Sequence, residues 1–319
     1  MSDAADARVL VVGAGAAGLA VAETLRREGH TGELTLLGAE PHPPYDRPPL
    51  SKQILAGEWT RDRLTLRTPE RLAELRLTLR LGETAVSLDP AARTVGLAAG
   101  DGDGGVESVP YDVLVVATGV RARPLPGAGA RVLRTIGDAV RLRERLVRGG
   151  LAGRGRPGRW VVVGAGFLGA EAASVVRTAG AEVTVLEPAA VPLAHAVGSR
   201  VGEAVAQAHR DHGVDLRTGV AVAAVAEGGV VLANGERVEA DEVLVAVGSI
   251  PNTEWLGGSG LVLRDGLVCD AYCRAAPGVF AVGDVARWRG GTTRSTGWTC
   301  ASSTARTRPS RVWRWRGTC

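Results

Sequence analysis

Residues 9–18 read VLVVGAGAAG and residues 159–169 read RWVVVGAGFLG, and these two stretches decide the fold. Each is a short apolar run that ends at glycines spaced G-x-G-x-x-G. They are Gly13, Gly15 and Gly18 in the first copy, and Gly164, Gly166 and Gly169 in the second. An apolar run this short, stopped by such a turn, reads as a buried strand. Helical periodicity follows, over residues 19–28 in the first copy and as far as residue 179 in the second. A second apolar run then closes each unit, at residues 33–37 and 182–186. Strand, glycine turn, helix and strand, repeated once, predict an α/β chain with two parallel-sheet domains rather than one long sheet.

The glycine spacing has a chemical reading. The first glycine makes the tight turn, the second lets backbone approach a pyrophosphate, and the third lets helix and strand pack closely. The helix start then presents free N–H groups and a partial positive charge to phosphate. Ala14 and Ala16 keep the first turn small; Phe167 and Leu168 occupy the matching turn of the second. An acid about 20 residues past the motif is expected to hold a ribose. Glu40 lies 22 residues beyond Gly18, and Glu187 lies 18 beyond Gly169. Both units are therefore Rossmann-like dinucleotide sites. Near Glu187 no arginine offsets repulsion of a 2′-phosphate, so the second site should prefer NADH to NADPH.

Outside these units, residues 100–105 (GDGDGG) read as a hairpin tip or loop. Residues 122–130 (ARPLPGAGA) form a Pro/Gly crossover and a domain boundary. Residues 138–147 read as a helix with an arginine-rich face, and residues 148–158 as a loop. The histidines show no metal or triad spacing, and no metal is expected. No apolar stretch approaches the ~18 residues of a membrane span. The start is acidic and lacks a secretory apolar core, which points to the cytoplasm. From residue 287 onward there are eight Arg and no Asp or Glu. The whole chain carries +4, so residues 1–286 carry −4 and the body is not a nucleic-acid footprint.

Four further stretches carry a resemblance. Residues 44–52 read PYDRPPLSK, 111–119 YDVLVVATG, 241–252 DEVLVAVGSIPN and 278–286 GVFAVGDVA. With the two glycine turns, this ordered set resembles the FAD-dependent ferredoxin and rubredoxin reductases of oxygenase systems, over about residues 8–286. The resemblance implies a glutathione-reductase-like fold. Residues 1–121 and 253–286 would bind FAD, and 122–252 would bind NADH. It also implies hydride transfer from NADH to flavin, then single electrons to a ferredoxin or rubredoxin-type acceptor. By motif match, Gly13, Gly15 and Gly18 would meet the FAD pyrophosphate and Glu40 its ribose. Arg47 and Lys52 would line the flavin, Ala117, Thr118 and Gly119 would pass its backbone, and Asp284 would meet the ribityl chain. Gly164, Gly166, Leu168 and Gly169 would meet NADH, with Glu187 on its ribose and Gly248 close by. Glu171 would face the nicotinamide and could pair with Lys52.

Lys52 is the only lysine in the chain. A compact point charge does what arginine's planar fork does not. At ~4 Å from an anionic reduced flavin and an effective dielectric of ~20, it is worth ~4 kcal/mol. For two electrons that is on the order of 90 mV. No cysteine occurs before Cys269, so the N-terminal segment has no thiol to relay electrons from a flavin. Cys269 and Cys273 read as packing residues. After residue 286 the resemblance stops. Residues 287–319 hold four of the seven Trp and show no helical or strand period. They read as out of frame from near Arg289, with the family's third, C-terminal domain missing. An inactive truncated remnant, an NADH oxidase and a nitrite reductase flavin subunit stay open as other readings.

Overall fold

The computed structural model describes residues 6–98, 106–149 and 157–288. They divide into two compact units. The first takes the described residues of Met1–Asp46, Thr65–Val120 and Pro251–Cys319. The second takes Arg47–Leu64 and those of Arg121–Ile250.

The first unit is built on a six-stranded sheet. Its order is Arg274–Ala276, Val279–Ala281, Val113–Val116, Val9–Val12, Leu34–Gly38 and Thr78–Leu81. Every pairing is parallel except that of Arg274–Ala276 with Val279–Ala281. The two faces of Val9–Val12 explain the unbroken apolar run. Val9 and Val11 pack with Val21, Leu34 and Leu36, while Leu10 and Val12 pack with Leu37, Leu114 and Val116. A parallel strand covered on both faces has no polar side to show. Each fully buried aliphatic side chain here contributes roughly 1.5–3 kcal/mol.

The second unit repeats the scheme with five parallel strands: Asp215–Thr218, Glu182–Glu187, Arg159–Val163, Glu242–Val245 and Ala130–Arg131. Each unit also carries a three-stranded antiparallel sheet. In the first it is Ala85–Asp89, Thr94–Ala98 and Val106–Pro110; in the second, Val222–Ala226, Gly229–Leu232 and Arg237–Glu239. The predicted α/β architecture with two Rossmann-like sheets is thus the observed one.

Element ends differ from the sequence reading for local reasons. The first helix spans Ala16–Arg27, because Gly15 is its N-cap and the helix starts inside the motif. The arginine-faced helix spans Ile136–Arg148, two residues earlier than periodicity suggested. Thr135 accepts from the Asp138 N–H at 3.1 Å while Asp138 accepts from the Thr135 N–H at 2.9 Å, a capping box. Ile136, Ala139, Leu142 and Leu146 form its buried stripe. The 100–105 tip and the tail from residue 289 lie outside the described residues, as does most of the 148–158 loop. Among the described residues no helix is long and apolar enough to cross a membrane.

Candidate functional site

In the first unit three backbone segments converge on one glycine turn. Gly13 has φ +124°, and a Cβ there would sit 2.1 Å from the Ala117 carbonyl oxygen. A Cβ at Gly18 would sit 2.0 Å from the Gly13 carbonyl oxygen. At Gly38 it would meet the Ala14 methyl at 2.6 Å, and at Gly283 the Ala17 methyl at 2.9 Å. Gly13 and Gly18 are required because backbone passes backbone, and Gly38 and Gly283 because they leave room for the Ala14 and Ala17 methyls. Gly15 is different: a Cβ there would meet nothing within 4 Å. It is the N-cap of Ala16–Arg27, no side chain caps that helix, and no acid lies in its first turn. Open space thus faces an unsatisfied helix start, the arrangement that receives a phosphate.

The remaining predicted residues of this unit stand around the turn's sheet. Glu40 accepts from the Tyr45 hydroxyl at 2.8 Å. The Thr118 hydroxyl donates to the Asn252 carbonyl at 2.8 Å, and the Asn252 amide donates back to the Thr118 carbonyl at 2.9 Å. The Asn252 N–H also reaches the Gly119 carbonyl at 3.0 Å. Asn252 therefore braces 117–119, a role the sequence reading did not assign. Its partner lies 134 residues away, so no spacing rule reveals it. Asp284 lies in the turn Gly283–Val285, half-buried, next to the residue that touches Ala17.

The second unit reproduces the cradle. Gly164 has φ +99°, and its Cβ would sit 2.5 Å from the Ala246 carbonyl oxygen; that of Gly169 would sit 1.9 Å from Gly164. Gly166, the N-cap of Phe167–Thr178, again has nothing within 4 Å and no side-chain cap. Phe167 is half exposed at the helix start, at 52 %. Leu168 follows it on the first turn. The Glu187 carboxylate accepts from the Ala165 N–H at 2.7 Å and the Ala189 N–H at 2.9 Å. That fixes the acid against the glycine turn. Gly248 has φ +95°, open space around it, and a carbonyl that accepts from the Arg123 N–H at 3.0 Å.

Lys52 and Glu171 meet within this unit. Lys52 Nζ lies 2.7 Å from Glu171 Oε1 and 3.2 Å from the Pro48 carbonyl. Ser51 Oγ donates to Glu171 Oε2 at 2.6 Å. Both carboxylate oxygens are thus held, and Ser51 is a second residue the sequence reading passed over. The turn Pro48–Ser51 presents Ser51 and Lys52 side by side. Arg47 donates to the Arg134 carbonyl at 2.6 Å and ties that turn to the cap of Ile136–Arg148.

Two bare helix starts with open N-cap glycines fit two dinucleotide pyrophosphates. The chain is 37% identical over 291 residues to the rhodocoxin reductase of Rhodococcus erythropolis, covering 88% of this chain and 65% of that protein. It is 35% identical over 300 residues to putidaredoxin reductase CamA of Pseudomonas putida, covering 89% and 68%. The crystal structure of a covalent putidaredoxin reductase–putidaredoxin complex superposes with a TM-score of 0.80 at 35% identity, covering 89% of this chain and 69% of that one. The chain thus spans about two thirds of the length of these relatives. Residues 7–305 match the family model for pyridine nucleotide-disulphide oxidoreductases, and the chain belongs to that family.

Proposed function

We propose that the chain is a flavoprotein oxidoreductase that takes hydride from NADH and passes electrons singly to a ferredoxin- or rubredoxin-type protein of an oxygenase system. The observation that carries this is the pair of cradles, each with an unobstructed glycine at a bare helix start. The relatives supply the acceptor class. One is the ferredoxin–NAD(+) reductase component of a p-cumate dioxygenase system, 37% identical. Bound FAD would supply the step from two-electron to one-electron chemistry.

The protein's own residues bind and orient. We assign residues 1–121 and 253–286 to FAD and 122–252 to NADH, with Arg47–Leu64 held by the latter unit. Gly15 and the N–H groups that start Ala16–Arg27 take the FAD pyrophosphate, Glu40 its ribose and Asp284 the ribityl hydroxyls. Gly166 and the start of Phe167–Thr178 take the NADH pyrophosphate, with Glu187 on the ribose. Lys52 supplies fixed positive charge for the reduced flavin, and Glu171, clamped by Lys52 and Ser51, orients it. The compartment on this reading is the cytosol.

The test is an anaerobic NADH titration of the FAD-loaded chain, followed by a panel of ferredoxins and rubredoxin. Bleaching by NADH and reduction of at least one iron protein are expected. Bleaching with no iron protein reduced, and reoxidation only once dioxygen is admitted, would favour an NADH oxidase and overturn the assigned acceptor.

A further inference from the structure

Glu40 and Tyr45 both belong to the first unit and follow the strand Leu34–Gly38. That strand ends against the glycine turn, since Gly38 lies beside the Ala14 methyl. The backbone beyond it is pinned. The Glu83 N–H donates to the Gly38 carbonyl and the Gly82 N–H to the Glu40 carbonyl, each at 3.1 Å. Residues 41–44, between the acid and the phenol, read PHPP. Proline fixes its own φ and holds the residue before it extended, so this loop has few conformations.

The far end of the loop is anchored as well. Tyr45 forms an antiparallel bridge with Thr65, and the Leu66 N–H donates to the Pro44 carbonyl at 3.1 Å. The Tyr45 ring is 6% exposed and meets the His42 ring edge to face, with centroids 6.5 Å apart. A buried ring on fixed backbone holds its hydroxyl in place, and that hydroxyl donates to Glu40 Oε2 at 2.8 Å. The last torsion of a glutamate is broad, and this bond narrows it at Glu40. Each carboxylate oxygen accepts more than one hydrogen bond, so one donor on Oε2 does not exhaust the group. At the second cradle Glu187 is held instead by the N–H groups of Ala165 and Ala189. Both acids are thus fixed against their glycine turns, one by backbone and the other by a phenol.

We propose that Tyr45 is a positioning residue for FAD: its hydroxyl holds the Glu40 carboxylate in the orientation that accepts from the ribose hydroxyls. The proposal rests on the assignment of Glu40 to the FAD ribose. With Tyr45 in place, Glu40 is ordered when the chain folds rather than when FAD binds, and such pre-organisation strengthens binding. Without the hydroxyl, the ordering cost falls on the binding step.

FAD dissociation constants are measured by flavin fluorescence on the cofactor-free full chain. The set is the wild type, Tyr45→Phe, Glu40→Ala and the double variant, with urea unfolding to check each fold. Tyr45→Phe should bind FAD about 3- to 10-fold more weakly, the cost of ordering one side chain at binding. In the Glu40→Ala background the same substitution should change affinity by less than about 2-fold, because the group it orients is gone. Replacing Tyr45 alone by fluorotyrosine keeps the ring and the hydroxyl and gives a second readout. Its fluorine resonance should shift on Glu40→Ala and on FAD binding. Native affinity in Tyr45→Phe, equal losses in both backgrounds, or a fluorine resonance that FAD leaves in place would overturn the role of Tyr45. Native affinity in Glu40→Ala would instead overturn the ribose assignment, and a wild type that binds no FAD would overturn the first cradle, each taking the proposal with it.

Discussion

Gly13→Ala and Gly15→Ala separate the two jobs of a glycine turn. At Gly13 the added methyl would lie 2.1 Å from the Ala117 carbonyl oxygen and 2.4 Å from its carbon, with φ +124°. The neighbour is backbone of the central sheet and must yield by ~1 Å to reach ordinary contact. Left-handed strain costs about 1–2 kcal/mol, and overpacking about 1–3 kcal/mol. The sum, roughly 2–5 kcal/mol, is a large part of the 5–15 kcal/mol that holds a domain. At Gly15 the methyl meets nothing within 4 Å. Alanine is the poorer N-cap, by about 0.5–1 kcal/mol, but its narrower unfolded ensemble returns about 0.4–1 kcal/mol. Net stability should barely move. If the space beside Gly15 receives the FAD pyrophosphate, the methyl crowds that ligand by about 1–3 kcal/mol, roughly a 5- to 150-fold loss of affinity. Urea unfolding without cofactor and FAD titration by flavin fluorescence read the two effects separately. The reasoning fails if Gly15→Ala destabilises the cofactor-free chain as much as Gly13→Ala, or binds FAD as tightly as the wild type.

Lys52→Met should lower the flavin midpoint potential, by less than the ~90 mV of a lone cation, because Glu171 sits 2.7 Å from the ammonium. Glu171→Gln should raise it, so equal signs for the two variants in a dye-coupled titration would remove this pair from the flavin's surroundings. NADH should give a higher kcat/KM than NADPH, and steady-state kinetics with both nucleotides checks this. Thr135→Ala should cost about 1 kcal/mol in a urea titration, since its hydroxyl caps Ile136–Arg148; no change would mean the cap contributes nothing. Arg8 hydrogen bonds hold the Asp112 carboxyl down to about 2, against roughly 3.9 when unfolded. The folded value is depressed, so this contribution is present above about pH 4 and lost as pH falls toward 2. Asp112→Asn should therefore destabilise near pH 6 and lose its effect at the acid end, and a penalty independent of pH would contradict this.

The parts legible in the sequence were those set by local rules. A strand buried on both faces must be apolar throughout, so residues 9–12 and 159–163 announced themselves. A turn in which backbone crosses backbone must lack Cβ, so Gly13, Gly18, Gly164 and Gly169 did too. Contacts between distant segments were not legible from spacing. Asn252 on Thr118 and Ser51 on Glu171 obey no period, and their chemistry is ordinary hydrogen bonding. The pairing of Lys52 with Glu171 came through family resemblance, not from either residue's surroundings in the sequence. Cys269 and Cys273 read as packing residues, and Cys269 lies in the core of the first unit; the left-handed backbone at Cys273 is not legible in the letters. Helix ends shifted for a related reason: Thr135 and Gly15 set the helix starts as N-caps, and a cap stands outside the periodic stripe.

The central claim is that the first glycine cradle holds FAD and the second delivers NADH to it. Visible absorbance of the purified chain after incubation with excess FAD and gel filtration tests it most directly. The account predicts a retained flavin band that NADH bleaches without oxygen, and more slowly with NADPH. A colourless protein, or a flavin band that NADH leaves unchanged, would contradict it.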